Sequence, residues 1–158
     1  MLFQIEEPDG SPLGEPEGPG VAIGVDLAGA RAMVAVAVGG NAEILPGRDD
    51  APGHEISGLR GAGGQFEPEA VTAVLLALRG RAERALGRPV THAVIAIAAP
   101  LEAAARTLII SAAGVSGLQV TRVLTAAEAS ELGAGATDAV VHGAAIAAED
   151  DANLIARP

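Results

Sequence analysis

The residues of this sequence that could carry out chemistry meet at its first turn, where the apolar run VAIGVD ends in Asp26. The turn contains Ala28, Gly29 and Ala30, and Arg31 opens the next apolar run. A carboxylate at a strand end can hold a hydrated Mg²⁺, a glycine admits a phosphate, and an arginine pairs with an anion. Asp26, Gly29 and Arg31 are therefore the candidate cofactor-binding residues, and Asp26 is the candidate metal ligand.

The same three residues also have plain structural interpretations. A short polar side chain such as that of Asp26 readily accepts hydrogen bonds from the backbone N–H groups of its own turn. Gly29 is consistent with an ordinary tight turn, and an arginine beside a turn is commonly solvated or ion-paired. The sequence favours these structural interpretations and leaves the functional ones open.

Composition limits the classes of function. The chain has 158 residues, is 49% hydrophobic and 1% aromatic, and carries a net charge of −10, so we expect one core packed with small aliphatic side chains. The acidic surface disfavours binding to nucleic acid or anionic lipid. There is no cysteine, and no run approaches the roughly 20 apolar residues of a membrane span. We therefore expect a cytoplasmic domain without nucleic-acid or membrane partners.

The elements that position these residues follow from hydrophobic periodicity and turn signals. Residues 1–20 are rich in Pro, Gly and acidic residues and predict a disordered tail, followed by one lobe over residues 21–151 and a C-terminal tail over residues 152–158. Strands are predicted over Val21–Leu27, Arg31–Val38 and Ala42–Leu45, with a hairpin turn at Gly39–Asn41. A surface loop is predicted over Pro46–Gln65.

Helices and parallel strands are predicted in the second half. The helices are Glu67–Leu86, Leu101–Ala113 (ended by Gly114), a short one capped by Thr125 and Glu128, and Thr137–Glu149 after a glycine-rich joint at Gly133–Gly135. The strands are Val90–Ala98 and Gln119–Leu124. This order predicts an α/β fold with a five-stranded mixed sheet, three strands antiparallel and two parallel, flanked by helices. Ribonuclease-H-like and actin-like ATPase folds share this architecture.

The segment Gly87–Leu124, GRPVTHAVIAIAAPLEAAARTLIISAAGVSGLQVTRVL, resembles DnaK-type heat-shock chaperones of the actin-like ATPase superfamily. It is similar to the inner subdomain of the first lobe of their ATPase domain. The matching residues are Val90, Thr91, Ala93, Val94, Ile95, Arg106, Gly117, Leu118, Val120 and Arg122. The closing helix is similar to the helix that ends that domain, through Ala139, Val140, Gly143, Ala144 and Ala145.

The sequence departs from this family where the chemistry lies. The family's Gly-Thr-Thr-Asn turn is replaced by Ala28–Arg31, and its Asn-Glu-Pro by Thr125–Ala127. No segment resembles the second phosphate loop, the adenosine loop or the second lobe. The region that would carry the catalytic lysine shrinks to Pro46–Gln65, which has none. Because phosphoryl transfer depends on positioning and on charge around the phosphates, we expect a degenerate single lobe without ATPase activity.

Three functions remain open. The favoured one is a protein-interaction or scaffold module, hetero- or homo-oligomeric, that uses the helices Leu101–Ala113 and Thr137–Glu149. Because Ile109 and Ile110 are adjacent on a helix, they cannot both face the sheet, so one of them is available for a contact. The alternative is a chaperone-like protein that binds ATP or ADP with Mg²⁺ and completes its site in trans. A metal-dependent nuclease is less favoured, because only Asp26 and Asp138 are available as carboxylates. His54, His92 and His142 lack metal-ligand spacing.

Overall fold

The computed structural model describes residues 20–29, 31–45, 54–55, 59, 65–98, 102–134 and 138–156. The strands are β1 (Val21–Asp26), β2 (Arg31–Val38), β3 (Asn41–Ile44), β4 (His54–Glu55), β5 (Val90–Ile97) and β6 (Gln119–Thr125). The helices are α1 (Pro68–Leu86), α2 (Ala103–Val115), α3 (Ala126–Leu132) and α4 (Ala139–Ala156). The predicted N-terminal tail, except Gly20, lies outside the described residues.

Five strands form a mixed sheet in the order β3-β2-β1-β5-β6. The pairs β1–β2 and β2–β3 are antiparallel, whereas β1–β5 and β5–β6 are parallel. This confirms the predicted sheet. The tight β2–β3 turn is also confirmed, with Gly39 and Gly40 at φ values of 62° and 84°, which glycine adopts without steric cost.

The loop predicted over Pro46–Gln65 is wrong at His54 and Glu55, which form β4. They pair with Ala32 and Arg31 of β2, whereas β3 pairs with β2 only over Ala35–Val38. The first residues of β2 therefore have backbone groups that β3 does not pair. A two-residue strand that fills this position needs no hydrophobic pattern, so sequence periodicity cannot reveal it. Most of the remaining predicted loop lies outside the described residues.

Helices cover both faces of the sheet. Ile23 and Val25 of β1, and Leu27 just after it, alternate toward one face, where they join a core with α1 and α2. On the opposite face the helices contribute mainly alanines, among them Ala129 of α3 and Ala144 of α4. A Cβ added to Gly24 would overlap the backbone of Ala144 and Ala145. Because β1 has no side chain at this position, α4 packs directly against the strand.

Two helix ends differ from prediction. Gly114 does not end α2, which continues to Val115; Gly117, at φ 89°, makes the turn instead. The helix predicted to end at Glu149 continues to Ala156. There Asp151 pairs with Arg122 of β6 at 2.6 Å, and accepts a hydrogen bond from Thr121 Oγ1 at 2.9 Å. These long-range contacts stabilise a helical extension that local sequence does not signal.

Arg79 connects α1, β5 and α2. Its Nε donates to the carbonyl of Val90 and its Nη1 to the carbonyl of Ser116, both at 3.1 Å. Glu83, which lies 3.4 Å from Arg79 Nη2, accepts from Val90 N–H at 2.9 Å. These contacts fix the ends of α1 and α2 against the beginning of β5.

Candidate functional site

The sheet brings three strand ends to one edge. Because β1, β5 and β6 are parallel, their carboxyl ends meet there, with Asp26 opposite Ala96 and Ile97 opposite Thr125. In open α/β sheets, ligands bind at this edge. β5 ends in Ile97 and contributes no polar side chain at this point, so the polar groups come from β1 and from the residues after β6.

Asp26 is half-buried and acts within its own turn. Its Oδ1 accepts a hydrogen bond from the Ala28 N–H at 2.8 Å. Burial raises the pKa of this carboxyl group; the Ala28 hydrogen bond opposes that shift, and the negative charge of Asp138 adds to it. The structural interpretation of Asp26 as a turn cap therefore holds, and a second carboxyl group lies close enough to affect it.

Thr125 and Glu128 interact with each other at the end of β6. Glu128 N–H donates to Thr125 Oγ1 at 3.2 Å, and Thr125 N–H donates to Glu128 Oε1 at 2.9 Å. This is the predicted capping box, which satisfies otherwise unpaired N–H groups at the start of a helix. The only described carboxylate that follows β6 closely is thus engaged in capping α3.

Gly29 and Arg31, the other two candidate cofactor-binding residues, are both exposed. The nearest non-neighbouring atom to a Cβ built on Gly29 is the Arg31 carbonyl oxygen, at 3.9 Å. The charge of Arg31 acts on Arg81 of α1, which sequence reasoning did not single out. The structure thus brings Asp26 together with Asp138, and Arg31 together with Arg81.

The described residues fit a magnesium–nucleotide group poorly. Mg²⁺ is commonly held by one or two carboxylates together with waters and substrate phosphates, and Asp26 and Asp138 would be the protein ligands. However, Oδ1 of Asp26 already accepts a hydrogen bond, and Ala28 and Gly29 offer no hydroxyl groups. Within the described parts of the chain, no group of three or more His, Asp or Glu residues is arranged to hold a metal.

A second feature is an uncharged groove between α1 and α2. It has a volume of about 550 Å³ and is lined by Pro68 and Thr72 of α1 and by one stripe of α2, Ala103, Ala104, Thr107, Leu108, Ser111, Ala112 and Val115. Val115 is 76% exposed and Ile110 is 44% exposed, whereas Ile109 is fully buried. This confirms that the adjacent isoleucines point to different environments.

A mixed sheet in this order, with helices on both faces, has the topology of a lobe of the actin-like ATPase fold. Residues 48–144 match the family described as Hsp70 protein. Because the match covers more than half of the chain, the chain belongs to the Hsp70 family. This confirms the resemblance, although β1, β2 and β3 lie before the matched residues.

One curated relative makes the likeness more specific. The Chaperone protein HscA homolog of Azoarcus sp. (strain BH72) is 40% identical over 92 residues, which are 58% of this chain and 14% of the relative. The chain therefore spans far less than two thirds of that relative. Among the described helices, none combines the length and apolarity needed to cross a membrane.

Proposed function

We propose that this chain is an Hsp70-type ATPase lobe that does not hydrolyse ATP by itself and acts through protein contacts. The observation that carries the proposal is the state of the polar groups at the carboxyl edge of the sheet. Asp26 binds the backbone of its own turn, and Thr125 and Glu128 bind each other. Among the described residues, these groups serve local structure: the Thr125 hydroxyl is engaged in the helix cap, and the two carboxylates would meet a phosphate only through a cation.

The chemistry of phosphoryl transfer supports the same conclusion. It requires in-line positioning and several positive or hydrogen-bonding groups around the phosphates. The whole sequence contains no lysine, and the β1–β2 turn has no hydroxyl group. Loss of one electrostatic contributor typically costs about 100-fold or more in rate. Loss of several leaves turnover by this chain alone below detection.

The protein-contact part of the proposal draws on α1 and α2. Leu76 of α1 is 54% exposed, Ile110 of α2 is also exposed, and the exposed Val115 of α2 lines the uncharged groove. On a chain with a net charge of −10, an uncharged apolar region is typical of a protein-binding surface. α4 contributes Leu154 and Ile155, which are 62% and 48% exposed near its end. The contact is with a protein partner or with a second copy.

ATP turnover and nucleotide binding test the first part. We expect purified chain to release no phosphate from Mg·ATP above a no-protein control. We also expect isothermal titration with Mg·ATP and Mg·ADP to give the same heat for the wild-type chain as for Asp26→Ala. Turnover by the wild-type chain that is lost in Asp26→Ala would overturn the proposal.

Self-association tests the second part. Light scattering at increasing concentration should detect a larger species, and Ile110→Asp should shift it to the monomer. Val38→Asp is the matched control, because Val38 is an exposed apolar residue, 74% accessible, on β2. If every variant stays monomeric, pull-down with wild type against Ile110→Asp tests a hetero-partner. The contact proposal would be refuted if the wild type and Ile110→Asp captured the same proteins and both stayed monomeric at every concentration.

One observation favours a second candidate function. The charges of Asp26 and Asp138 interact, and a cation such as Mg²⁺ would lower their repulsion if another chain supplied the ligands that the described residues lack. A chaperone-like protein that binds ATP or ADP with Mg²⁺ would then need another chain to supply the second lobe. Heat from Mg·ADP titration that appears only with that partner, and disappears in Asp26→Ala, would establish this function instead.

A further inference from the structure

The groove between α1 and α2 reaches the edge of the sheet at which β1 begins. Val115, the last residue of α2, lines the groove, and Ser116 follows it directly. The guanidinium group of Arg79 binds the carbonyls of both Ser116 and Val90, at 3.1 Å each. Because one small planar group joins these two carbonyls, the Val115 end of the groove lies beside the first residue of β5.

The chain enters β1 at this same edge. Val21, the first residue of β1, pairs with Val90. Gly20 packs against the side chain that follows Val90, since a Cβ built on Gly20 would overlap it. The segment 1–19, which precedes the described residues, is therefore attached beside the Val115 end of the groove.

The large apolar residues of this segment are concentrated far from its attachment. Leu2, Phe3 and Ile5 form an apolar cluster, whereas residues 6–19 are mainly acidic residues, proline and glycine. The chain has two phenylalanines, and the other one, Phe66, is buried in the core. Side chains of this size gain most from leaving water, so the apolar cluster favours contact with an apolar surface.

The groove matches the apolar cluster in size, chemistry and reach. Its volume of about 550 Å³ falls within the roughly 300–1,000 Å³ of small-ligand clefts. Small uncharged side chains such as Ala104, Thr107 and Ser111 line it. The 13 residues of α2 span about 20 Å, whereas the chain between Ile5 and Gly20 can extend to about 50 Å.

We propose that Leu2, Phe3 and Ile5 bind in the groove between α1 and α2 of the same molecule. Attachment beside the groove gives the apolar cluster a high effective concentration there, which favours it over a free partner. The acidic residues that follow the cluster stay outside the uncharged groove and keep their hydration. Arg88, exposed and two residues before Val90, offers them a positive charge on that path.

This contact within the chain goes beyond the proposed function and bears on it. A segment seated in the groove covers Val115 and competes with any partner that binds there. The effect on a partner rests on the proposed function, whereas the contact within the chain does not.

Introduced cysteine pairs test the contact in the full chain, which has no cysteine of its own. Phe3→Cys with Ser111→Cys places one thiol in the apolar cluster and one in the groove. Phe3→Cys with Val38→Cys is the matched control, because Val38 is exposed and lies at the edge where β1 begins. A tether without binding would favour the control pair. With oxidised glutathione at low protein concentration, we expect the groove pair to form an intramolecular disulfide at least about tenfold faster.

Fluorescence provides a second measurement, because the sequence lacks Trp and Tyr. Phe3→Trp creates a single fluorophore in the apolar cluster. We expect its emission at a shorter wavelength than in the urea-unfolded chain, since the groove shields the indole from water. Thr107→Asp, which places a charge in the groove, should move the emission toward the unfolded value. Val38→Asp places the same charge elsewhere and should leave the emission unchanged.

The outcomes separate this contact from other occupants of the groove. Equal disulfide rates in the two cysteine pairs, or emission that Thr107→Asp leaves unchanged, would overturn the contact. Disulfides that join two chains, with emission that depends on concentration, would assign the groove to a second copy and overturn it as well. Neither measurement involves Ile110→Asp or a partner protein, so failure here leaves the proposed function standing.

Discussion

Two glycine-to-alanine substitutions in helices should change stability in opposite directions. Gly143 lies inside α4, and a Cβ at this position would overlap the carbonyl group of Ala129 in α3. Gly114 lies inside α2, exposed, and a Cβ there would meet no atom within 4 Å. Both variants add the same methyl group in the same secondary structure, so their difference isolates tertiary packing.

The magnitudes follow from two effects. Replacing glycine with alanine in a helix stabilises it by roughly 0.5–1 kcal/mol, and this is the whole expected effect for Gly114→Ala. At Gly143 the methyl group must also separate two backbones, and overpacking costs roughly 1–3 kcal/mol. Because backbone cannot move aside as a flexible side chain can, we expect Gly143→Ala to destabilise by roughly 1–2 kcal/mol net.

Urea and thermal unfolding measure the difference. For a domain of this size, each kcal/mol shifts the melting temperature by roughly 2–4 °C. Gly114→Ala should therefore melt a few degrees above wild type and Gly143→Ala a few degrees below. If Gly143→Ala were as stable as Gly114→Ala, the close packing of α3 on α4 would be refuted. Asp138 directly precedes α4, so the packing of this helix places Asp138 near Asp26. That position would then need another explanation.

Three further predictions concern the polar contacts. Arg79→Met keeps most of the apolar stem but loses two hydrogen bonds, and it should destabilise by roughly 1–3 kcal/mol, whereas exposed Arg88→Met should change little. Asp26→Asn keeps the acceptor for Ala28 N–H and removes the charge. Folding raises the pKa of Asp26, so the folded state binds the proton more tightly than the unfolded state does. The free energy of unfolding should therefore fall as pH rises from the ordinary pKa of an aspartate to the raised pKa of Asp26. Asp26→Asn should flatten that fall. Thr125→Ala should cost about 1 kcal/mol as a lost helix cap.

Each of these predictions has a distinct control or contrary result. Arg79 and Glu83 are suited to a double-mutant cycle in urea, and effects that simply add would show that the two side chains act independently. For Asp26, unfolding is followed between pH 3 and pH 7, and identical profiles for the wild type and Asp26→Asn would contradict the raised pKa. For Thr125, Thr125→Ser should retain the cap, so a loss equal to that of Thr125→Ala would refute the capping role.

Local sequence predicts those features that depend on neighbouring residues. The end of α1 at Gly87, the β2–β3 turn at Gly39 and Gly40, and the box between Thr125 and Glu128 all depend on conformational preferences within a few residues. The nearly continuous apolar runs of β1 and β5 likewise predict buried strands. These features were predictable because the physical cause lies within the segment itself.

Other features depend on groups that are distant in sequence. β4 exists because the first residues of β2 have unpaired backbone groups, and α4 extends past Glu149 where Asp151 meets Arg122. The candidate site shows the same limit. Sequence identified Asp26 as both a possible metal ligand and a turn cap, and only the folded chain placed its Oδ1 on Ala28 N–H, with Asp138 nearby.

The sequence alone determined the class of sheet, the helices that flank it and the family to which the chain belongs, because hydrophobic periodicity and motif residues are local properties. Tertiary structure decided which charges face each other. It placed Asp26 with Asp138 and Arg81 with Arg31 and Arg84. Electrostatic interaction depends on distance in space and on burial, and neither quantity can be read from spacing along the chain.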